Sequence, residues 1–131
     1  MRLAVANFTN DMHEDQGAAL GESPSVRRVL IRRTYRGDLA GTGTVELQTC
    51  VTGETSFGYA GVEIFDGALG GRSGGFAFVH IGRREGNVLD TIGYVVPGSG
   101  SGDFAGISGE IAIGLADTGH DLLLTYRLPD R

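Results

Sequence analysis

Hydrophobic and polar residues alternate along most of this chain with a period of two. The runs "VRRVLIRRTYR", Val26 to Arg36, and "VEIFDGALGGRSGGFAFVHIG", Val62 to Gly82, show the alternation most clearly. A period of two sends successive side chains to opposite faces of a β-strand, whereas an amphipathic helix needs a period of 3.6. No segment has a convincing helical period. The pattern therefore predicts an all-β protein.

Gly-rich turns and an early polar loop, from about Asn10 to Pro24, divide the chain into eight predicted strands. The predicted strands cover residues 3–8, 26–36, 42–52, 55–69, 72–84, 88–96, 110–116 and 121–128. Short connections favour an antiparallel meander, and closing the meander into a barrel removes its exposed edges. We therefore expect residues 1–131 to form a single domain, an eight-stranded antiparallel β-barrel.

Hairpin geometry predicts which side chains share a face of the sheet. A two-residue turn at Gly70-Gly71 pairs Glu63 with Phe78 and places His80 diagonally beside Glu63. A two-residue loop at residues 53–54 and a four-residue loop at residues 37–40 extend the register to strands two and three. One face then carries Arg33, Tyr35, Glu46, Gln48, Cys50, Tyr59, Glu63, Phe65, Phe76, Phe78 and His80. The opposite face carries Val45, Leu47, Val51, Val62, Ile64, Val79 and Ile81.

Periodicity alone leaves open which of these faces is the interior. The aliphatic face could form the core and leave the acids and the histidine in water. Five aromatic side chains on a wet face would, however, form an exposed apolar patch, whereas an aromatic lumen with a few polar groups is typical of a small-molecule pocket. With that lumen, the aliphatic outer face would be covered by further copies of the chain, in a dimer or trimer.

Composition narrows the function classes. The chain has 131 residues, which suits one domain, and its 23 Gly without a collagen-like period fit many turns. A net charge of -5 argues against nucleic-acid binding. The single Cys50 excludes an intrachain disulfide and fits a reducing compartment. With no signal-peptide pattern in "MRLAVANFTNDMHED" and no run of eighteen apolar residues, we expect a cytoplasmic protein without a membrane span.

Glu63 and His80 are the candidate acid/base pair. A carboxylate beside an imidazole raises its proton affinity while burial lowers it, which leaves a group able to exchange protons near neutral pH. The alternative is that both merely satisfy buried polarity together with Arg33. Glu46 has the same two interpretations beside Arg33, and Cys50 lacks an evident base and suits a structural role.

Metal and nucleotide sites are not indicated by the spacing of residues. The group His13-Glu14-Asp15 lies in a polar loop, and the chain contains no His-x-His or His-x-x-x-His pair, so we expect no metal and no cofactor. The stretch "PGSGSGDFAG" lacks the Gly-Lys-Ser/Thr end of a phosphate-binding loop and precedes a predicted strand rather than a helix. It is predicted to be a structural loop that crosses one end of the barrel.

Three blocks carry a resemblance to a known family. "TYRGDLAGTGTVE", "VEIFDGALGGRSGGFAFVHIG" and "YVVPGSGSGDFAGISGE" resemble successive blocks of a small bacterial family, domain of unknown function 3224, over about residues 27–126. The resemblance implies an allene-oxide-cyclase-like, calycin-like barrel, and the last block is also similar to a stretch of plant allene oxide cyclases and dirigent proteins. It further implies that positions matching Glu63 and His80 are Glu and His in the family, which supports a lumen that holds both.

Two functions follow from this resemblance. The first is a cofactor-independent cyclase or isomerase that folds a reactive, apolar, oxylipin- or polyketide-like substrate. Glu63 and His80 would carry protons, Arg33 and Glu46 would supply the electrostatic frame, and the wall would consist of Tyr35, Gln48, Cys50, Tyr59, Phe65, Phe76 and Phe78. The second is a non-catalytic barrel that carries an apolar ligand, steers a reaction as dirigent proteins do, or serves as an oligomeric partner.

Overall fold

The computed structural model describes residues 1–15, 24–116 and 119–129, which form strands joined by turns. The strands are β1 (Arg2–Asp15), β2 (Ser25–Gly37), β3 (Leu39–Gly53), β4 (Ser56–Leu69), β5 (Arg72–Glu85), β6 (Val88–Val95), β7 (Ser101–Gly102), β8 (Ser108–Ala116) and β9 (Gly119–Arg127). β1 is longer than predicted and extends into the predicted early loop, the remainder of which falls largely outside the described residues. Within the described ranges, no helix has the length and apolar character needed to cross a membrane.

The strands close into an antiparallel barrel. The order around it is β4-β3-β2-β1-β9-β8-β6-β5, and β4 pairs with β5 to complete the ring. The two-residue strand β7 lies outside this ring of eight and pairs with the start of β5. The predicted eight-stranded antiparallel β-barrel is confirmed. Closure leaves no long unpaired strand edge among the eight.

The β4–β5 hairpin has the predicted register. Gly70 and Gly71 form its two-residue turn with φ angles of 59° and 80°, the left-handed region that glycine adopts without a steric penalty. Glu63 pairs with Phe78 and Gly61 with His80. Glu63 and His80 are therefore diagonal neighbours on the inner face.

The register of β3 differs from the prediction by one residue on each side. The last pair between β2 and β3 is Tyr35 with Gly41, so five residues rather than four lie between the paired positions. The β3–β4 turn closes at the pair Gly53 and Ser56, followed by a bulge, so that Val45 lies opposite Glu63. A one-residue slip turns a whole strand over. The inward and outward faces of β3 are therefore exchanged relative to the prediction. β2 and β4 keep their predicted faces, because the two slips together shift one strand against the other by two residues, a full period of the alternation.

Burial of aliphatic side chains accounts for this register. Val45 and Leu47 lie inside the barrel and pack with Val29 and Ile31, while Tyr59 packs against the cluster. Burying these apolar side chains is favourable, whereas the predicted register would have buried carboxylate and amide groups of β3 in their place. The prediction that Val45, Leu47 and Val51 face outward is therefore wrong.

One end of the barrel is filled with side chains. A large cluster occupies this closed end, made of Ala4, Ala6, Phe8, Tyr35, Leu39, Phe65, Leu69, Phe76, Phe78, Val95, Phe104, Ile107, Ile111, Ile113, Leu122, Leu124 and Tyr126. Phe104 is fully buried and its ring meets Phe76 edge-on, with 5.5 Å between centroids.

The segment from 96 to 107 crosses this closed end. Ser101 pairs with Gly75 of β5, and the Ala77 amide donates to Ser99 Oγ over 3.0 Å. The segment carries Phe104 and Ile107 into the core. The prediction of a structural loop over the barrel end is confirmed.

The outer wall carries exposed apolar side chains on β4, β5, β6 and β9. This outer apolar face comprises Val62, Ile64, Ile81, Ile92, Tyr94 and Leu123, which are between 41% and 62% exposed. Val62, Ile64 and Ile81 lie where the sequence predicted them. Such a contiguous surface is larger than scattered surface hydrophobics would produce.

Candidate functional site

Glu63 is the centre of a buried polar cluster. Its side chain has 0% exposure. One carboxylate oxygen, Oε1, accepts a hydrogen bond from Arg33 Nη1 at 3.1 Å and lies 3.2 Å from His80 Nε2. The other, Oε2, accepts from the Tyr35 hydroxyl. A carboxylate buried in an apolar interior is stable only with such partners, so these three side chains hold Glu63 in place.

His80 links this cluster to a second set of hydroxyls. Its Nδ1 lies 2.8 Å from the Tyr59 hydroxyl, which in turn lies 3.1 Å from Thr91 Oγ1. The Tyr59 hydroxyl donates its one proton to Thr91 Oγ1. In that arrangement it accepts from Nδ1 of a doubly protonated His80, whose Nε2 donates to Glu63; with a proton on Nε2 alone, the hydroxyl donates to Nδ1 instead. A continuous hydrogen-bonded chain thus runs from Glu63 through His80 and Tyr59 to Thr91.

Gly43 makes room for the cluster on the neighbouring strand. It lies on β3 beneath Arg33, Tyr35 and Glu63, and a Cβ atom there would collide with Glu63 Oε2 and lie 2.9 Å from the Tyr35 ring. Any larger residue would displace the carboxylate. The absence of a side chain at this inward position is what allows two strands to send long polar side chains to the same point.

A cavity of about 350 Å³ occupies the other half of the barrel. Arg33, His80, Tyr59 and Thr91 contribute polar groups to its lining, while Glu63 and Tyr35 are not among the lining residues. Its apolar wall is formed by Phe8, Val29, Ile31, Leu47, Val51, Phe57, Leu89 and Ile113. An apolar cavity of this size with a few convergent polar groups has the usual composition of a small-molecule site.

All three histidines of the chain line this cavity, namely His13, His80 and His120. The ring of His120 stacks on Phe8 with 5.2 Å between centroids. Three histidines in one cavity would suggest a metal site, but in the described part of the chain no three His, Cys, Asp or Glu side chains are placed to hold a metal ion. Their shared location points to hydrogen bonding and proton exchange.

Arg33 has an incomplete set of partners. Its guanidinium carbon lies 4.3 Å from the centroid of the Phe8 ring, a cation–π contact, and its side chain is 5% exposed. Nη1 is bonded to Glu63, but Nε is buried without a hydrogen-bond acceptor among the described residues. Buried N–H groups are rarely left unpaired.

The surroundings shift the pKa of three of these groups. Burial, followed by the charge of Glu63, holds the pKa of Tyr35 well above its ordinary value. Burial also raises the pKa of Tyr59. The pKa of His120 is lowered, first by burial and then by the positive charges of Arg33 and Arg84. The two tyrosines are therefore neutral hydrogen-bond donors at neutral pH.

The structure places eight of the eleven predicted site residues inside the barrel. These are Arg33, Tyr35, Tyr59, Glu63, Phe65, Phe76, Phe78 and His80, of which all but Tyr59 are buried. Phe65, Phe76 and Phe78 pack into the closed end and are not among the residues that line the cavity. They support the polar cluster from behind.

The predicted lumenal positions of Glu46, Gln48 and Cys50 are wrong. All three side chains are exposed on the outer surface of β3 because the strand is turned over by the register described above. Glu46 lies 3.7 Å from Arg28, another exposed side chain, instead of beside Arg33. None of the three can contribute to a lumenal site.

Thr91, His120 and Phe8 were missed in the sequence. Each lies in phase with buried neighbours on its own strand: His120 precedes Leu122 and Leu124, and Phe8 follows Ala6. Extending the period-two reading to β1, β6 and β9 would have assigned them to the inner face. The predicted hairpin register covers only the strands from β2 to β5.

The sequence of the chain matches a family model described as "Protein of unknown function (DUF3224)" over residues 4–126. The chain belongs to the DUF3224 family. The barrel of this DUF3224 protein is similar to the crystal structure of a protein of unknown function from the same family, from Shewanella oneidensis MR-1. The two share 25% sequence identity with a TM-score of 0.86, and the match covers 100% of this chain and 99% of the other. A search of curated proteins found no match.

These comparisons establish the family and the barrel for this DUF3224 protein. The resemblance to allene oxide cyclases and dirigent proteins stays a prediction. What the site does must therefore be argued from the cavity and the side chains around it.

Proposed function

We propose that this protein binds a small, largely apolar molecule in the cavity of its barrel and moves a proton on it, as a cofactor-independent isomerase or cyclase. The observation that carries the proposal is the hydrogen-bonded chain from Glu63 to Thr91, because it connects a buried carboxylate to hydroxyls on the cavity wall. Proton transfer through such a chain needs no bound metal or cofactor.

In this mechanism the Tyr59 hydroxyl and His80 act together. Tyr59 lines the cavity and exchanges a proton with the bound molecule, while His80, 2.8 Å away, supplies or accepts the replacement proton. Glu63 orients the imidazole through the 3.2 Å contact with Nε2. Glu63 is then a positioning residue and does not touch the substrate, which differs from the proton-carrier role predicted for it.

The apolar wall contributes by limiting the conformations of the bound molecule. Val29, Ile31 and Leu47 are branched aliphatic side chains that pack together in one buried cluster. Holding a flexible molecule near its reacting geometry can supply a large share of a ring-closing barrier. The closed end restricts the depth to which the molecule enters.

A non-catalytic carrier is the second candidate. The observation that favours it is the complete enclosure of Glu63, whose two oxygens are engaged by Arg33, His80 and Tyr35. Such saturation is also what a purely structural ion pair requires. A carrier would bind the same class of molecule and leave it unchanged.

Two measurements separate these functions. Native mass spectrometry of freshly purified protein identifies a retained molecule, and that molecule is then incubated with the protein in D₂O. An isomerase or cyclase exchanges carbon-bound hydrogen of the molecule for deuterium or converts it, and Tyr59→Phe slows this by about 100-fold, the range expected for losing a positioned acid or base. Tyr94→Phe, on the exposed outer face, is the matched control. Retention without exchange or conversion would identify a carrier, and no binding of any molecule would overturn both functions.

A further inference from the structure

The cavity has more positive than negative charge at its border, although the chain as a whole carries -5. Among the described residues that line it, the positively charged ones are Arg27, Arg33 and Arg84, and the negatively charged one is Asp15. Asp15 and Arg27 form an ion pair at 3.2 Å and cancel each other. Arg33 is likewise paired with the buried Glu63 at 3.1 Å, behind the cavity lining. Arg84 therefore supplies the net positive charge, and Arg33 contributes N–H donors.

Arg33 lines the cavity and has one N–H group without an acceptor among the described residues. Its Nη1 is bonded to Glu63, and its Nε is buried without a partner in the described ranges, although the side chain is 5% exposed. An unpaired buried guanidinium N–H costs free energy unless an acceptor is supplied. Arg33 also lines the cavity, so an oxygen of a bound molecule can approach its guanidinium group, and a carboxylate matches the forked donor geometry of arginine best.

Arg84 adds a second positive group from the wall formed by β5. It donates from Nε to the Gly86 carbonyl at 3.0 Å and forms no ion pair in the part of the chain that the structure describes. His120, on β9, lines the same cavity as Arg33 and Arg84. Burial and then the positive charges of these two arginines lower the pKa of its ring. Phe8 of β1 covers the other side of that ring. An anion near His120 would therefore feel both arginines in a region of low dielectric constant.

We propose that the molecule bound in this cavity is an amphipathic oxyanion, with an apolar body against the aliphatic wall and a carboxylate or similar group between Arg33 and Arg84. This inference rests on the proposed small-molecule binding and specifies the class of ligand. It concerns recognition and holds for a carrier as well as for an enzyme. The apolar wall excludes small inorganic anions as the preferred ligand, because they would leave it uncovered.

The test compares matched anionic and neutral probes by isothermal titration calorimetry. The pairs are 2-naphthoate with 2-naphthylmethanol, and decanoate with 1-decanol; each pair has the same apolar body. The carboxylate of each pair is expected to bind at least about tenfold more tightly than the alcohol, because charge-assisted hydrogen bonds are the stronger ones. Inorganic phosphate, which has no apolar body, is expected not to bind measurably and not to compete with the carboxylates.

Two adjacent arginines on β5 provide a matched pair of variants. Arg84→Gln is expected to weaken carboxylate binding about fivefold and leave alcohol binding unchanged. Arg83→Gln removes the same charge from the outer surface, where Arg83 is 74% exposed and faces Asp90, and is expected to change neither. Arg33→Lys keeps the buried charge but loses Nε, and is expected to weaken the carboxylates more than Arg84→Gln does.

The outcomes distinguish this inference from the function on which it depends. Alcohols that bind as tightly as their carboxylates would leave small-molecule binding intact and overturn the oxyanion inference. Equal losses for Arg83→Gln and Arg84→Gln would also overturn it, because the preference would then come from net charge alone. Failure of all four probes to bind would overturn the inference together with the proposed function.

Discussion

Glu63 and His80 meet across the β4–β5 hairpin, with 3.2 Å between Oε1 and Nε2, and the same oxygen receives Arg33. One buried carboxylate therefore balances a permanent cation and orients an imidazole. This double role makes the cluster sensitive to the loss of a single charge. The mutual dependence of the three side chains can be measured.

Glu63→Gln is expected to lower the free energy of unfolding by about 3 kcal/mol, because it leaves the Arg33 charge buried without its counter-charge. The measurement is denaturant unfolding at pH 7. Asp66→Asn, an exposed position on the same strand, is the control and should change stability by less than about 0.5 kcal/mol. Equal stability of Glu63→Gln and wild type would show that the pair is not a buried ion pair in solution.

Gly43→Ala is expected to destabilise the protein by about 2 kcal/mol, since the new methyl group would collide with the Glu63 carboxylate and the Tyr35 ring. Gly114→Ala on β8, where a Cβ atom meets nothing within 4 Å, should be neutral or slightly stabilising. Thermal unfolding of both variants provides the comparison. If both alanines were tolerated equally, the space above Gly43 would not be occupied as described.

Tyr59→Phe is expected to cost about 1 kcal/mol of stability because it removes one hydrogen bond from His80 Nδ1 and one from Thr91. It should also change the ¹⁵N chemical shifts of the His80 ring, which report protonation at each nitrogen. Tyr94→Phe is the control for both readouts. Unchanged His80 shifts in Tyr59→Phe would mean that the hydroxyl and the imidazole are not bonded.

Acidification is expected to destabilise the protein partly through His120. Its pKa in the folded chain lies below the ordinary value of 6.5, so the unfolded chain binds a proton first as pH falls. The His120 contribution to stability is therefore complete above pH 6.5 and declines between 6.5 and the folded pKa. NMR titration should give a pKa below 6.5, and His120→Gln should reduce the loss of Tm on acidification. A measured pKa at or above 6.5 would contradict the partial burial of His120 in a cavity lined by Arg33 and Arg84.

Association through the outer apolar face stays a prediction. If copies of the chain cover Ile64 and Ile81, the wild type is a dimer or trimer, and Ile64→Glu or Ile81→Glu shifts it towards monomer. Val88→Glu changes an equally exposed apolar residue at the β5–β6 turn and should have no effect. Light scattering after size exclusion measures the mass of each variant. A monomeric wild type would rule out this association.

The sequence predicted the barrel and placed every member of the polar cluster except Thr91 on the inner face, because alternation and glycine turns are local signals. The two-residue turn at Gly70-Gly71 fixes the register between β4 and β5, so the sequence could place Glu63 and His80 together. The register of β3 could not be obtained in the same way. It depends on a five-residue connection and a bulge, whose lengths are set by which side chains the finished barrel buries.

Contacts of high sequence separation were also beyond a local pattern. Phe8 meets His120 only after β9 returns to β1, whereas its contact with Arg33 follows from the pairing of β1 with β2. The Glu63 carboxylate and the Tyr35 ring lie above Gly43 because β3 pairs with β4 on one side and with β2 on the other. In both places the geometry follows from the pairing of strands and not from the residues nearby in the chain.

Phe104 and the segment that carries it make the barrel a blind-ended vessel. A ligand could not pass through the barrel from one end to the other. It would have to leave through the opening by which it entered before another ligand could bind. Turnover or delivery would accordingly be limited by departure of the previous occupant, and a tightly held product would act as its own inhibitor.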